Sequence, residues 1–363
     1  MSLEEQQVTT GKKNKKIWKI LVNGVSIAVL LGLTAYLVLS KQELPQIWES
    51  MKNANLWWLF GGVVLLIVFV SCESVLMYHL FRRLDEPAKF RRCLTYSYVG
   101  FFFSSVTPSA SGGQPLQLVW MKRDGLDFAV SSLVLLVVTL AYKLALIILS
   151  LVLFAFNAEF VLSNLGIMLY VFILGLVLNV AFCALLAVVI FKPESARKMT
   201  QWILKLLCKL RLVRNKESAE EKLEKGIAHY SQAAHLLMTR KKLLCEVMLM
   251  TLFQRLCFFA ITYMVYRSFG LSGTGFFPII ALQVILSLAL DILPFPGGIG
   301  ANEGGFMIMY ATVFTELLVV PGMLLSRGIN YYLLVIVGAV VTIISYILGQ
   351  RRIAREKKER GME

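Results

Sequence analysis

Ionisable side chains stand inside long apolar runs at Glu73, Lys143, Arg255, Asp291, Glu303 and Arg327, with Glu246, Arg267 and Glu316 nearer the ends of such runs. A charge at the centre of a bilayer costs about 2.5–3.5 kcal/mol on insertion scales, so one that stays there is paired or faces a wet cavity. Cations beside a few carboxylates suit the holding of an anion such as a phosphate. Arg255 lies 12 residues into its run, too deep for a simple interfacial anchor. It is either a structural partner of Asp291 or Glu303, or a ligand for an anionic headgroup. Lys143 sits mid-way along Phe128–Phe156 and either binds phosphate or extends its flexible stem toward the interface. Arg327 follows Pro321–Gly322 closely, and an interfacial anchor competes with a binding role. Glu303 is read as the cap of a helix start, or as a proton- or cation-sensitive switch or counterion. Glu73 and His79 lack the third ligand that a metal site needs.

Those charges lie beside two interrupted apolar regions. One carries PSASGGQ at residues 108–114; the other carries DILPFPGGIGANEGG at 291–305. Proline removes a donor and glycine weakens a helix, so neither region is one continuous span. Non-helical backbone at membrane depth must face protein or water. Pro115 suits the first turn of a helix, which predicts capping by Gln114 or Ser111 and a run back toward Arg123. Asn302 is placed near the start of a second helix, Glu303–Leu318. Two helix starts around Gly112 and Gly113 and around Gly297, Gly298 and Asn302 then offer N–H groups and partial positive charge to an anion. The competing reading is that these glycines allow close helix packing.

Composition supplies the setting. Of 363 residues, 58% are apolar and 16% charged, and the apolar ones gather in blocks long enough to cross a bilayer. Six spans are predicted: Ile17–Leu39, Leu56–Phe81, Phe128–Phe156, Leu165–Phe191, Leu243–Tyr266 and Met323–Gly349. The first, too long for a signal-peptide core, reads as a retained anchor. Basic residues cluster at Lys12–Lys19, Arg82–Arg92, Lys122/Arg123, Lys192–Lys242 (13 Lys/Arg against 5 Glu) and the tail after Gln350, whereas the opposite loops hold two Lys. If both interrupted regions enter and leave on one side, every basic cluster falls in the cytoplasm together with both termini.

The predicted class is therefore an all-α polytopic membrane protein with six transmembrane helices plus two re-entrant helical hairpins in an inverted-repeat arrangement. Its parts are a basic N-terminus at 1–16, a first membrane half at 17–191 with a hairpin at 94–123, and a basic segment at 192–242. A second membrane half at 243–350 has a hairpin at 276–318, and a basic tail follows at 351–363. Within the central segment, Trp202, Leu206, Leu207 and Leu210 recur at helical spacing among cations, which reads as an amphipathic helix on anionic headgroups or as a solvated linker. The net charge of +15 is assigned to orientation and anionic lipid, with no nucleic-acid partner. Six scattered cysteines without a CxxC pair suggest neither disulfides nor zinc. No nucleotide-binding, zinc-protease or hydrolase motif occurs, so no catalysis and no cofactor are expected.

At DILPFPGGIGANEGGF, with TPSASGGQPLQLVWMKRDG upstream, the chain resembles the lysylphosphatidylglycerol synthase transmembrane family, over about Ile17–Gln350. Pro294, Pro296, Gly297, Gly298, Gly300 and Glu303 carry the more specific element. Many relatives have an acidic residue where this chain has Gln114, so no ionic role is assigned there. The resemblance, which includes the membrane domain of the multiple peptide resistance factor, implies movement of a lipid between leaflets of a bacterial plasma membrane. Candidate lipids are aminoacyl-phosphatidylglycerol, a glycolipid or a polyprenyl phosphate. With 14 residues after Gly349, the chain is expected to lack the namesake's aminoacyltransferase domain and to serve a separate lipid synthase. The alternatives are an accessory subunit of a lipid-modifying enzyme, or a small-solute secondary transporter.

Overall fold

The computed structural model describes residues 44–359 except 193, 196, 199, 203–215, 292 and 294. The expected span Ile17–Leu39, the basic N-terminus, and Leu206, Leu207 and Leu210 lie outside the described residues. Those described are helical, with no strand among them. Among the described residues, five helical stretches are long and apolar enough to cross a bilayer.

A short helix α1 (Leu44–Lys52) precedes α2 (Leu56–Arg83), which Asn55 starts by accepting from the Trp57 amide at 2.9 Å. Then come α3 (Phe90–Val106), a single 3₁₀ turn at Pro108–Ala110, and α4 (Gly113–Arg123). Asp127 caps α5 (Phe128–Phe156) through the Ala129 and Val130 amides. Next are α6 (Ala158–Leu165), α7 (Met168–Phe191) and α8 (Lys216–Thr239). The second part has α9 (Lys241–Ser268), α10 (Phe276–Leu290), a glycine turn at Pro296–Gly298 and α11 (Ala301–Met309). It closes with α12 (Ala311–Arg327), a π turn at Gly328–Leu333 and α13 (Leu334–Glu359).

The ends of these helices fall into two groups. At one end the Arg240 guanidinium donates to the Arg83 carbonyl at 2.8 Å, Arg92 pairs with Asp124 at 3.2 Å, and Arg123 reaches the Tyr346 carbonyl. At the other end the Asn55 amide donates to the Ser268 carbonyl at 2.7 Å, and Thr312 meets Asn164. The described basic clusters thus gather at one end. The pair α3–α4 starts and finishes there. The pair α10–α11 starts and finishes at the opposite end, where the Tyr310 hydroxyl donates to the Ile279 carbonyl at 2.8 Å. Both are helical hairpins, and their tips touch.

Packing is reciprocal between the two parts. α2 lies along α9, α5 lies on α10, and α13 lies on α3. α10 is enclosed by α5, α7 and α9, and nearly every residue from Ile279 to Leu290 is buried. Exposed apolar side chains cover the outer faces of α7 and α13, among them Ile173, Val177, Ile343 and Ile347. Such faces suit lipid rather than water.

Two expected boundaries are corrected. The helix predicted at Glu303–Leu318 stops at Met309, because Tyr310 is tied back to α10 and stacks on Phe306, with centroids 4.3 Å apart. The chain then breaks again at Thr315, where φ is +66°. Val319–Gly322, which falls as a loop between the predicted second hairpin and the span Met323–Gly349, is helical. Gly322 is there to accept the Phe314 ring, which a Cβ would strike. The expected span Met323–Gly349 is consequently part of a longer helical stretch that runs on from the break at Thr315, through the π turn, to Arg351.

Candidate functional site

Lys143 and Tyr142 come from the middle of α5, and Arg255 from the middle of α9. Asp291 sits where α10 gives way to the glycine turn. The Lys143 ammonium pairs with Asp291 Oδ2, and the Tyr142 hydroxyl donates to Oδ1 at 2.6 Å. One carboxylate is therefore fully engaged. Arg255 does not pair with Asp291 or Glu303, correcting one of the two readings of its sequence position. Its guanidinium lies 4.0 Å from the Tyr142 ring centroid and 5.0 Å from that of Phe69. Its Nε is buried without a hydrogen-bond partner. Ring faces attract a cation but leave its N–H groups unused, and a buried unused donor of that kind costs free energy. Counting the two cations against Asp291, the cluster carries one uncompensated positive charge.

Glu303 and Arg327 form a second cluster at the tip of the α10–α11 hairpin. Arg327 Nε donates to Glu303 Oε1 at 2.8 Å, and its Nη2 donates to the Gly297 carbonyl at 3.1 Å. Arg327 also lies over the Tyr331 ring, 4.3 Å from its centroid. Only 8% of its side chain is exposed, so the interfacial-anchor reading is overturned. Glu303 Oε2 accepts from the Gly300 amide at 2.6 Å, closing the start of α11 with Asn302 inside the first turn. Gly297 has φ +58°, and a Cβ there would run into Tyr331. The tip needs glycine on both counts.

The first tip is built otherwise. Neither Gln114 nor Ser111 caps α4. The Gly112 amide donates to Thr107 Oγ1 at 2.9 Å, Ser111 turns back to the Pro108 carbonyl, and Gln114 reaches Thr139 of α5. A Cβ on Gly113 would overlap Ser104 of α3, which makes Gly113 a close-packing residue between the hairpin arms. Tyr331 bridges the halves, its hydroxyl donating to the Ser105 carbonyl at 3.1 Å. Away from both tips, buried Glu73 accepts from Gln254 at 2.7 Å, and His79 meets Glu246 at 3.0 Å. No group of metal-ligating residues occurs among the described residues.

Sequence reasoning missed Tyr142, Thr139 and Tyr331. The two tyrosines left a trace, since Tyr142 adjoins Lys143 and Tyr331 stands four residues after Arg327, one helical turn away. Thr139 left none.

The family model of the lysylphosphatidylglycerol synthase TM region matches residues 22–338. The chain belongs to this family. Comparison with curated proteins gives no match. The matched span covers every helix that holds the two charged clusters and both hairpins. Membership in the lysylphosphatidylglycerol synthase TM region family, together with the long apolar helices, makes the chain a multi-pass membrane protein with a lipid-related role.

Proposed function

We propose that the chain is a lipid translocase that moves a phosphate-bearing lipid between leaflets. The observation that carries this reading is Arg255. It is a cation of α9 at the contact with α5 and α2, so that three helices from both halves meet there, stacked on rings, with no carboxylate partner among the described residues and with a buried unused donor. A phosphodiester or phosphomonoester oxygen satisfies that donor and cancels the excess charge. Lys143 lies against the same Tyr142 ring and is a second cation, which an arriving phosphate draws on in competition with Asp291. Acyl chains stay in the bilayer, so the protein needs a polar path for the headgroup alone.

On this reading the two hairpins are re-entrant, dipping from opposite faces, and the halves form an inverted repeat. Their ends and touching tips support it, as does the exchange of partners in which α5 covers α10 and α13 covers α3. The polar links match as well. Gln114 meets Thr139 25 residues on, and Glu303 meets Arg327 24 residues on. The basic end, by the positive-inside rule, faces the cytoplasm of a bacterial plasma membrane with both termini. No bond is made or broken by the chain, and a separate synthase supplies the lipid.

The test is leaflet sidedness in proteoliposomes with a panel of labelled headgroups. Wild type should expose at least one anionic or aminoacylated lipid, and Arg255→Gln should stop this while inserting normally. A wild-type rate in Arg255→Gln would remove the reading.

A further inference from the structure

A second basic site lies away from the tips, at the charged end of the molecule. Arg91, Arg92 and Thr95 of α3, Arg123 and Asp124 at the close of α4, and Val341, Ile344, Ser345, Leu348 and Gly349 of α13 surround a cavity of about 350 Å³. That size falls in the range of about 300–1,000 Å³ usual for small-molecule sites. Three guanidinium groups face one carboxylate. Asp124 is already occupied, pairing with Arg92 at 3.2 Å and accepting from the Tyr96 hydroxyl at 2.7 Å. Arg91 and Arg123 have no acidic partner among the described residues, and Arg123 rests over Tyr346 and touches only a backbone carbonyl.

We infer that this cavity binds the headgroup of an anionic phospholipid, with one acyl chain along α13. Its chemistry is split in the way an amphiphile is. One wall is cationic; the other is Val341, Ile344 and Leu348, of which Ile344 and Leu348 are 52% and 58% exposed on a face already suited to lipid. Arginine forks match phosphate oxygens, and a soluble phosphate leaves the apolar wall uncovered. The Arg123 guanidinium lies over Gly349, where any Cβ would overlap it. Trp120 fastens α4 to α13 through Ser345 at 3.0 Å and keeps the two walls together. The inference is independent of translocation, because binding is measured directly.

The test is a titration of the purified full chain in neutral detergent with dioctanoyl-phosphatidylglycerol, its phosphatidylcholine counterpart, and inorganic phosphate. Saturable binding of phosphatidylglycerol is expected, with little of the other two. Arg91→Gln and Arg123→Gln should each weaken it about tenfold, the loss of one charge-assisted contact. Gly349→Ala keeps every charge and favours the helix, yet displaces Arg123, and should weaken binding by a similar factor. Lys122→Gln removes an exposed charge next to Arg123 that does not line the cavity, and should change little. Equal effects of Lys122→Gln and Arg123→Gln, wild-type binding by Gly349→Ala, or inorganic phosphate binding as tightly as the lipid would each overturn the inference.

Discussion

Removing one member of the Glu303–Arg327 pair should cost far more than removing both. The two groups stand 2.8 Å apart with 5% and 8% of their side chains exposed. At that distance and an effective dielectric of about 20, their attraction is about 6 kcal/mol. Desolvating two ions costs several kcal/mol each, so the pair contributes little relative to a neutral pair of the same shape. Arg327→Gln leaves the Glu303 carboxylate with the Gly300 amide and no cation, and Glu303→Gln leaves a buried guanidinium with neutral acceptors. Each should destabilise by about 3–5 kcal/mol. The double variant should lose about 2 kcal/mol or less, since two glutamines satisfy each other as neutral groups. The first half already shows the neutral arrangement in Gln114 and Thr139. The assay is equilibrium unfolding in lipid bicelles for wild type, both singles and the double. Single effects that add to within about 0.5 kcal/mol would refute the reasoning, because uncoupled residues behave so.

Three further outcomes follow from the same geometry. Gln114→Glu should destabilise the first hairpin by about 2–4 kcal/mol, because Thr139 donates to Leu135 and a carboxylate cannot donate to it in turn; Thr139→Lys added to that variant should restore stability in the same unfolding assay. Gly297→Ala should lose about 2–4 kcal/mol, combining a left-handed φ with overlap on Tyr331, which a thermal unfolding midpoint measures. Burial pushes the Asp127 carboxyl up, but hydrogen bonds from the Val130 amide, from His229 and from the Ala129 amide outweigh it and hold the group below its ordinary 3.8. A lowered carboxylate stabilises the fold above that value and loses the contribution as pH falls through the folded one. Hydrogen exchange of α8, which meets α5 through His229 at 3.3 Å, should therefore rise below about pH 4, and Asp127→Asn should abolish the step.

The helices and their order were legible because apolar length and basic clusters are one-dimensional signals. Asn55 and Asp127, which cap α2 and α5, are residue types that favour helix starts, a signal the sequence reading left unused. The interrupted regions could be read as hairpins because proline and glycine disrupt a helix wherever they fall. Partner choice was not legible. Arg255, Lys143 and Arg327 compete for Asp291 and Glu303, and nothing in their spacing says which cation is left over; only the three-dimensional approach of α5 to α10 gives Asp291 to Lys143. Pro321–Gly322 misled for a related reason. A glycine needed for a distant ring, Phe314, leaves the same local trace as a glycine needed for a turn. Arg91, Arg92 and Arg123 served as topology markers, and the cavity between them depends on α13, more than two hundred residues away in the chain.

The two hairpins share a plan and differ in chemistry, and the difference has a direction. In the second hairpin α10 is buried along nearly its whole length, and its tip is held by an ion pair, a carboxylate-bound amide and a backbone carbonyl. In the first, most of the stretch from Phe101 to Thr107 is half-buried, and the tip rests on neutral hydroxyl and amide contacts. An inverted repeat of identical halves has two states of equal energy, related by exchanging the roles of the halves. Unequal tips lift that equality. On the proposed translocase reading, the bias favours the state that keeps the ionic tip closed, and the softer contact is that of the π turn with α3, where the Tyr331 hydroxyl donates to the Ser105 carbonyl. A headgroup phosphate that satisfies Arg255 shifts the balance only by as much as it binds the two states differently. On that reading the decisive energetic difference lies at Arg255, a cation that meets rings of α2 and α5 and pairs with no carboxylate among the described residues.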